Sequence, residues 1–471
     1  MATLLFFLLT LLVAAGWNAL FRPVPWRFVL LLWGAVALWQ GETLFSSKVD
    51  VPAGLAFHVY PWKALGREPV RANTGIALTE MVPWTAAARD ALRSGEAPLW
   101  NRRLGGGSPL LSDQQNAIFH PFTLAGLWLP IGKAWTLSVA LRLWFSLFFL
   151  LVLLRNWELG EPAALLGAVA YTFSTFPVVW LTISVALGIL SLPMALAAAD
   201  ELLRRPAVRS YLLLVAALTM TVLTGHPETV FFVALTTGAY ALFVTAALRG
   251  GWRPLLLAAT AAITAMLLTA FFWYPTLALL PLTDRYKLMG EVRARPPAHR
   301  LGLRSLSLLL SPDIFGTVPG GTYEAPAPPV ADLLTDYGEL ASAYAGLATL
   351  ALALTALPLL RRRPLARFAL GLMVVSFAFM IEPPGWSWLM RRLPMFDAAL
   401  LQRWRFAWSL GAALLAALAV DALLRAELPR RRLLLSVAVT AVLFAVALTA
   451  GLPALLTRHP SAFELVQLFA P

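Results

Sequence analysis

Few residues in this chain are able to do chemistry, and they fall between long apolar stretches. Asp50, Glu80 and Asp113 lie among Pro- and Trp-bearing segments, with Asn101 and Gln115 close by in the chain. His226 and Glu228 flank Pro227, while Arg285, Arg403 and Arg405 belong to later polar stretches. A positioned carboxylate can take a proton from a hydroxyl. An arginine fork matches the oxygens of phosphate or carboxylate bidentately. Cysteine is absent, which removes disulfides, thiolate catalysis and cysteine-based metal sites. No CxxC, HExxH, P-loop or GxGxxG-before-helix pattern occurs, so no metal ligand set is assigned.

Composition says what must position these groups. Of 471 residues, 59% are hydrophobic and 13% charged, where a soluble domain carries about 25% charged residues. This predicts an all-α polytopic membrane protein, one transmembrane domain over residues 1–471. Spanning helices need about 20 mostly apolar residues. Twelve such segments are expected, near 2–20, 27–45, 134–155, 161–178, 183–202, 210–226, 229–248, 255–281, 338–358, 366–382, 406–425 and 432–452. The first is expected to be retained rather than cleaved as a signal peptide, because no Lys or Arg precedes Arg22. The net charge of +13 is read as topology, with no nucleic-acid partner, because cytoplasmic loops of membrane proteins collect Lys and Arg.

The connections alternate. Short basic turns lie at 21–27, 155–162, 204–210, 249–254, 361–367 and 425–432; the others, at 46–133, 225–228, 283–337 and 382–405, are long or motif-bearing. The positive-inside rule puts the basic turns in the cytoplasm and the candidate residues on the outer face. Two large outer loops result, 46–133 and 283–337, the first expected to contain a short helix from Thr85 to Ser94 ended by Gly95.

That first loop carries Val82-Pro83-Trp84, Ala97-Pro98-Leu99-Trp100-Asn101, the cluster Gly105-Gly106-Gly107, and Asp113-Gln114-Gln115-Asn116-Ala117-Ile118-Phe119-His120-Pro121. Further on come Gly225-His226-Pro227-Glu228, then Glu339, Tyr344 and Gly346, and Leu393-Pro394 through Arg403-Trp404-Arg405-Phe406. In this order and spacing the motifs resemble the YfhO family of bacterial membrane proteins, over most of the chain. That family is similar to the GT-C class of membrane glycosyltransferases.

The resemblance implies a GT-C-like fold in a bacterial cytoplasmic membrane, multi-pass, with an extracytoplasmic active site. It implies transfer of a sugar from a polyprenyl-phosphate carrier to a cell-envelope glycan or lipid, with membrane lipid as a further partner. Divalent metal use, Mg or Mn, stays open, because GT-C relatives divide on it. Asp50, just past the second membrane helix, takes the general position of the GT-C acid, with Glu80 as rival. Many family members carry an Asp where this chain has Ile76, a departure that puts catalysis in doubt. Asn101, Asp113, Gln115, His226, Glu228, Arg285, Arg403 and Arg405 are the implied substrate-binding residues.

Each has a plainer reading: Asp50 as a turn residue, Asp113 as a cap, His226 as a structural turn, and the arginines as snorkelling side chains. A transporter or flippase and a non-catalytic scaffold are the competing functions. The alternation makes one prediction by itself: reporter fusions at Trp100 and His226 will report the same side of the bilayer, and opposite sides would overturn the topology.

Overall fold

Uninterrupted Leu, Ala, Val and Phe favour helix here because a helix satisfies its own backbone polar groups, as an apolar phase requires. The computed structural model describes residues 1–52, 54, 62–64, 75–247, 251–283, 286, 302, 304–316, 342–396 and 399–457. The described chain is mostly helical. In order the helices are α1 (Ala2–Leu20), α2 (Trp26–Phe45), α3 (Val82–Arg93), α4 (Pro121–Ala125), α5 (Ile131–Asn156), α6 (Glu161–Thr172), α7 (Thr175–Val179), α8 (Ser184–Ile189) and α9 (Leu192–Arg204). There follow α10 (Val208–Val222), α11 (Pro227–Ala247), α12 (Trp252–Leu268), α13 (Ala270–Leu279), α14 (Leu347–Thr355), α15 (Pro364–Ile381), α16 (Trp386–Met390), α17 (Phe406–Leu424) and α18 (Arg430–Thr457). Among the described residues the only strands are β1 (Trp100–Asn101) and β2 (Ser108–Pro109), paired antiparallel.

Eight helices are long and apolar enough to cross a membrane, or nine if the pair α12–α13, bent by 71°, counts as one. The bend falls at Thr269, whose hydroxyl takes the Ala265 carbonyl at 2.7 Å. Three of the twelve expected segments form helices that fall short of this length: α6, α10 and α14. Outward-facing Leu4, Leu8 and Leu12 on α1 and Leu434, Leu435, Val442 and Val446 on α18 are exposed, a surface that water would not tolerate but lipid does. The chain is a multi-pass membrane protein.

Two compact units can be distinguished. The first draws on Met1–Gly66, Gly75–Leu153 and Trp180–Leu288, the second on Arg67–Thr74, Leu154–Val179 and Met289–Pro471. In the first, Ala88, Leu110 and Ile118 form a small core under Trp84, Leu92 and Phe119, which holds the first loop to α3. That helix starts at Val82, three residues before its expected start at Thr85, because Pro83 fits a first helical turn. A π-helical turn, Ala77–Met81, runs straight into it.

In the second unit α17 is buried almost all round. Its small residues permit close backbone approach: a Cβ on Gly411 would meet the Ala369 carbonyl oxygen at 2.5 Å, and one on Gly167 of α6 would meet the Ala417 Cβ at 2.9 Å.

Both units bury an aspartate inside the same short pattern. Asp200 pairs with Arg204 at 2.8 Å and accepts from the Tyr240 hydroxyl at 2.7 Å. Asp421 pairs with Arg425 at 3.1 Å, lies 3.6 Å from Arg363, and accepts the Gly160 N–H that opens α6. Asp-x-Leu-Leu-Arg occurs at 200–204 and again at 421–425. Removing one partner of a buried ion pair leaves the other charge unanswered. Asp421→Ala strips the Gly160 N–H of its acceptor and two partly exposed arginines of a partner, and is expected to cost about 1–3 kcal/mol in unfolding titrations in detergent. Glu427→Gln, which breaks a more exposed contact to Arg363, is expected to cost less than about 1 kcal/mol.

Candidate functional site

The turn from Leu110 to His120 is fixed from every side. The Asn116 side chain donates to the Leu110 carbonyl at 2.9 Å and accepts the Ile118 N–H at 3.0 Å. Thr85 of α3 donates to the Asn116 carbonyl at 3.1 Å. Gln114 donates to the Phe272 carbonyl at 2.8 Å, and Thr276 donates to the Ser112 carbonyl at 2.6 Å, both from α13. These bonds hold Gln114 and Ala117 in left-handed backbone, at φ 53° and 46°, a region that side chains avoid without support.

Onto this turn packs the start of α11. Gly225 has φ 75°, and a Cβ there would sit 2.0 Å from the Gln114 carbonyl oxygen. The two backbones touch, which no other residue type permits. His226 then caps α11: its Nδ1 accepts the Thr229 N–H at 3.2 Å and lies 2.7 Å from the Thr229 hydroxyl. Pro227 takes the first helical position and Glu228 the first turn. His120-Pro121 repeats the device at α4, with Nδ1 accepting the Phe122 N–H at 3.2 Å. Burial, with the charge of Arg142 adding to it, pushes His120 down to about 3.

The structure thus brings Asp113, Gln115 and the His226-Glu228 turn into one neighbourhood of the first unit. Glu80, half-buried on the π-helical turn, joins them. Asp113 is pushed up to about 7, mainly by burial and further by the negative charge of Glu80. Gln115 Oε1 accepts from the Ser184 hydroxyl at 3.4 Å.

Asp50 is held differently. Its carboxylate accepts from the Gln40 amide at 2.6 Å, and its backbone N–H donates to the Thr136 hydroxyl at 3.3 Å. Lys133 clamps the segment by donating to the carbonyls of Thr43, Ser46 and Lys48 at 2.9, 2.5 and 2.6 Å. Burial raises Asp50, while its hydrogen bonds and the charge of Arg142 work against that rise. Asn101 is buried in the hairpin, where its side chain accepts the Arg103 N–H at 3.0 Å. Gly105–Gly107 form the hairpin tip.

Arg403 and Arg405 belong to the second unit, on the turn Leu401–Arg405 that leads into α17. Arg405 is fully buried and donates through Nε to the Gln402 carbonyl at 2.8 Å; Arg403 is half-buried. Arg285 lies outside the described residues, as does Glu339.

Arg142 escaped the reading of the sequence. It is the one charge between Lys133 and Arg155 in the 26 residues of α5, and a lone cation in an apolar span is the signal that could have found it. It is buried, and donates to the carbonyls of Leu181 and Ile183 at 2.8 and 3.0 Å and to the Ser138 hydroxyl at 2.9 Å.

Among the described residues no group of three or more His, Asp or Glu side chains is arranged to hold a metal ion. Set against known proteins, the chain matches no family model and no curated protein.

A carboxylate raised on folding contributes stability below its unfolded pKa, and loses it as pH climbs through the folded value. For Asp113 that window runs from 3.8 to about 7. Asp113→Asn removes the penalty, so the variant should melt several degrees above the wild type at pH 8 and alongside it at pH 4. Equal melting at both pH values would contradict the burial of this carboxylate.

Proposed function

We propose that the chain is a GT-C-like membrane glycosyltransferase with a YfhO-like arrangement of motifs. On this reading it carries twelve membrane segments, works at the extracytoplasmic face of a bacterial inner membrane, and takes its sugar from a polyprenyl-phosphate carrier. The acceptor is a cell-envelope glycan or lipid. The observation that carries the reading is the backbone contact of Gly225 with Gln114, which gathers two widely separated polar motifs around a pair of carboxylates.

The chemistry follows from the groups present. An acceptor hydroxyl attacks the anomeric carbon of the donor sugar, the bond from that carbon to the phosphate oxygen breaks, and polyprenyl phosphate departs with the electron pair. The hydroxyl proton passes to a carboxylate. Asp113, titrating near neutral pH beside Glu80, suits that task better than Asp50, whose carboxylate is already engaged by Gln40. Gln115 and His226 offer hydrogen bonds for orienting the two substrates.

Transport is the second reading, favoured by one observation: Arg142 is a charge inside an apolar span, as substrate pathways require. Purified protein given a synthetic polyprenyl-phosphate sugar and a mixed envelope acceptor should transfer sugar. Asp113→Asn should lower the rate by roughly 10²–10⁴-fold. Glu80→Gln, which removes the neighbouring charge, should shift the acidic limb of the pH–rate profile downward. Uptake into proteoliposomes without covalent transfer would replace the enzyme by a transporter.

A further inference from the structure

A partly open cavity lies in the first unit, with Arg89, Arg142, Gln115, Ser138, Ser184 and Trp135 among its lining residues. No carboxylate is among its lining residues.

Its hydrogen-bonding capacity is unbalanced. Arg89 is 2% exposed. Its Nη2 donates to the Gly126 and Leu127 carbonyls at 3.1 and 2.8 Å and to that of Leu129. Its Nε and Nη1 have no hydrogen-bond partner among the described residues. His120, within reach of the charge of Arg142, accepts at Nδ1, so the neutral ring carries its proton on Nε2. That atom, too, is buried without a partner. Buried donors left unanswered are costly, and native structures pair almost all of them. Around the cavity there is thus a surplus of donors and of positive charge. Asp50 offsets part of the charge on Arg142, and Asp90, which feels Arg89, is itself committed to Arg103 at 3.1 Å.

The missing complement is a compact, acceptor-rich anion. Carbonyl ligands would leave the charge unmatched, whereas a phosphoryl group offers several oxygens to the arginine fork. Beside the arginines the wall is apolar, with Trp135, Ile183 and Leu187, so the ligand carries an organic portion as well. We propose that this cavity binds a phosphate ester, the phosphoryl group held by Arg89 and Arg142 with hydroxyls of Ser138 and Ser184, and the organic portion against Trp135. The site is independent of glycosyl transfer, since a transporter could use it equally well. The same chemistry is presented by a phospholipid headgroup and by a soluble phosphate ester.

The test uses the full chain in nanodiscs of phosphatidylcholine, titrated calorimetrically with inorganic phosphate and with hexyl phosphate. Both should bind, hexyl phosphate more tightly. Arg89→Gln should weaken binding by roughly ten- to hundred-fold. Because Arg89 also clamps the 126–129 carbonyls, a second variant guards against misfolding. Thr123→Phe fills the cavity from a half-buried lining position, without touching a hydrogen bond of either arginine, and should abolish binding while leaving the melting temperature near the wild-type value. Repetition in nanodiscs containing phosphatidylglycerol separates the two sources. Competition there identifies a lipid headgroup, and undiminished binding identifies a soluble ester; either sustains the site. Absence of binding by both probes to the wild type, or full binding by a well-folded Thr123→Phe variant, overturns it.

Discussion

A guanidinium taken into an apolar interior must find its acceptors there, and the first unit is arranged around that demand. Arg142 draws the carbonyls of Leu181 and Ile183, where the chain is not helical between Trp180 and Ser184. Carbonyls inside a helix are already used by the helix; a broken stretch leaves them open. The non-helical stretch Leu181–Ile183 is therefore the answer to the charge on α5. By fixing Ser184 at the start of α8, it also places the hydroxyl that reaches Gln115. The Asp50 carboxylate, near enough to oppose the charge of Arg142, completes the electrostatics.

The first loop depends on this interior in turn. Its turn at Gln114–Ala117 keeps left-handed backbone at two residues that are not glycine, a conformation that persists only when the surroundings over-determine it. Those surroundings come from α3, α8, α11 and α13 together. Strain of this kind concentrates where a side chain has to be aimed. Here it aims Asp113 and Gln115 to opposite purposes, one beside Glu80 and the other beside Ser184.

Much of the fold was legible because apolar runs carry their own instruction. The eight long spans each coincide with an expected segment, and Pro83, Pro227 and Gly95 mark helix boundaries as their chemistry requires. Length was harder to read. Around 161–178 the apolar character continues past Thr172, yet the helix stops there, where Phe173 and Ser174 leave helical form for a turn. The candidate site was legible as separate motifs only. Asp113-Gln114-Gln115 and Gly225-His226-Pro227-Glu228 each stand out in the sequence. Their contact rests on a missing Cβ at Gly225, more than a hundred residues from its neighbour. Asp50 reads as a free outer carboxylate in one dimension. Its engagement with Gln40 of α2 and Thr136 of α5 needs three.

The proposed choice of Asp113 as base turns on how environment divides similar carboxylates. Two acidic groups in one protein take different roles when their surroundings push their pKa values apart. Asp50 has burial raising it, but a short amide hydrogen bond and an arginine charge favour its ionised form. Its carboxylate is already engaged by the Gln40 amide, so it is held within the structure rather than presented to a substrate. Asp113 has burial and a like charge acting in the same direction, with no cation among the causes of its shift. Its proton affinity is therefore free to respond to what enters beside it. In the proposed reaction a departing anionic phosphate would raise that affinity further, and an approaching hydroxyl meets a group titrating near neutral pH. Of the two, Asp113 is the one whose environment leaves a proton able to move.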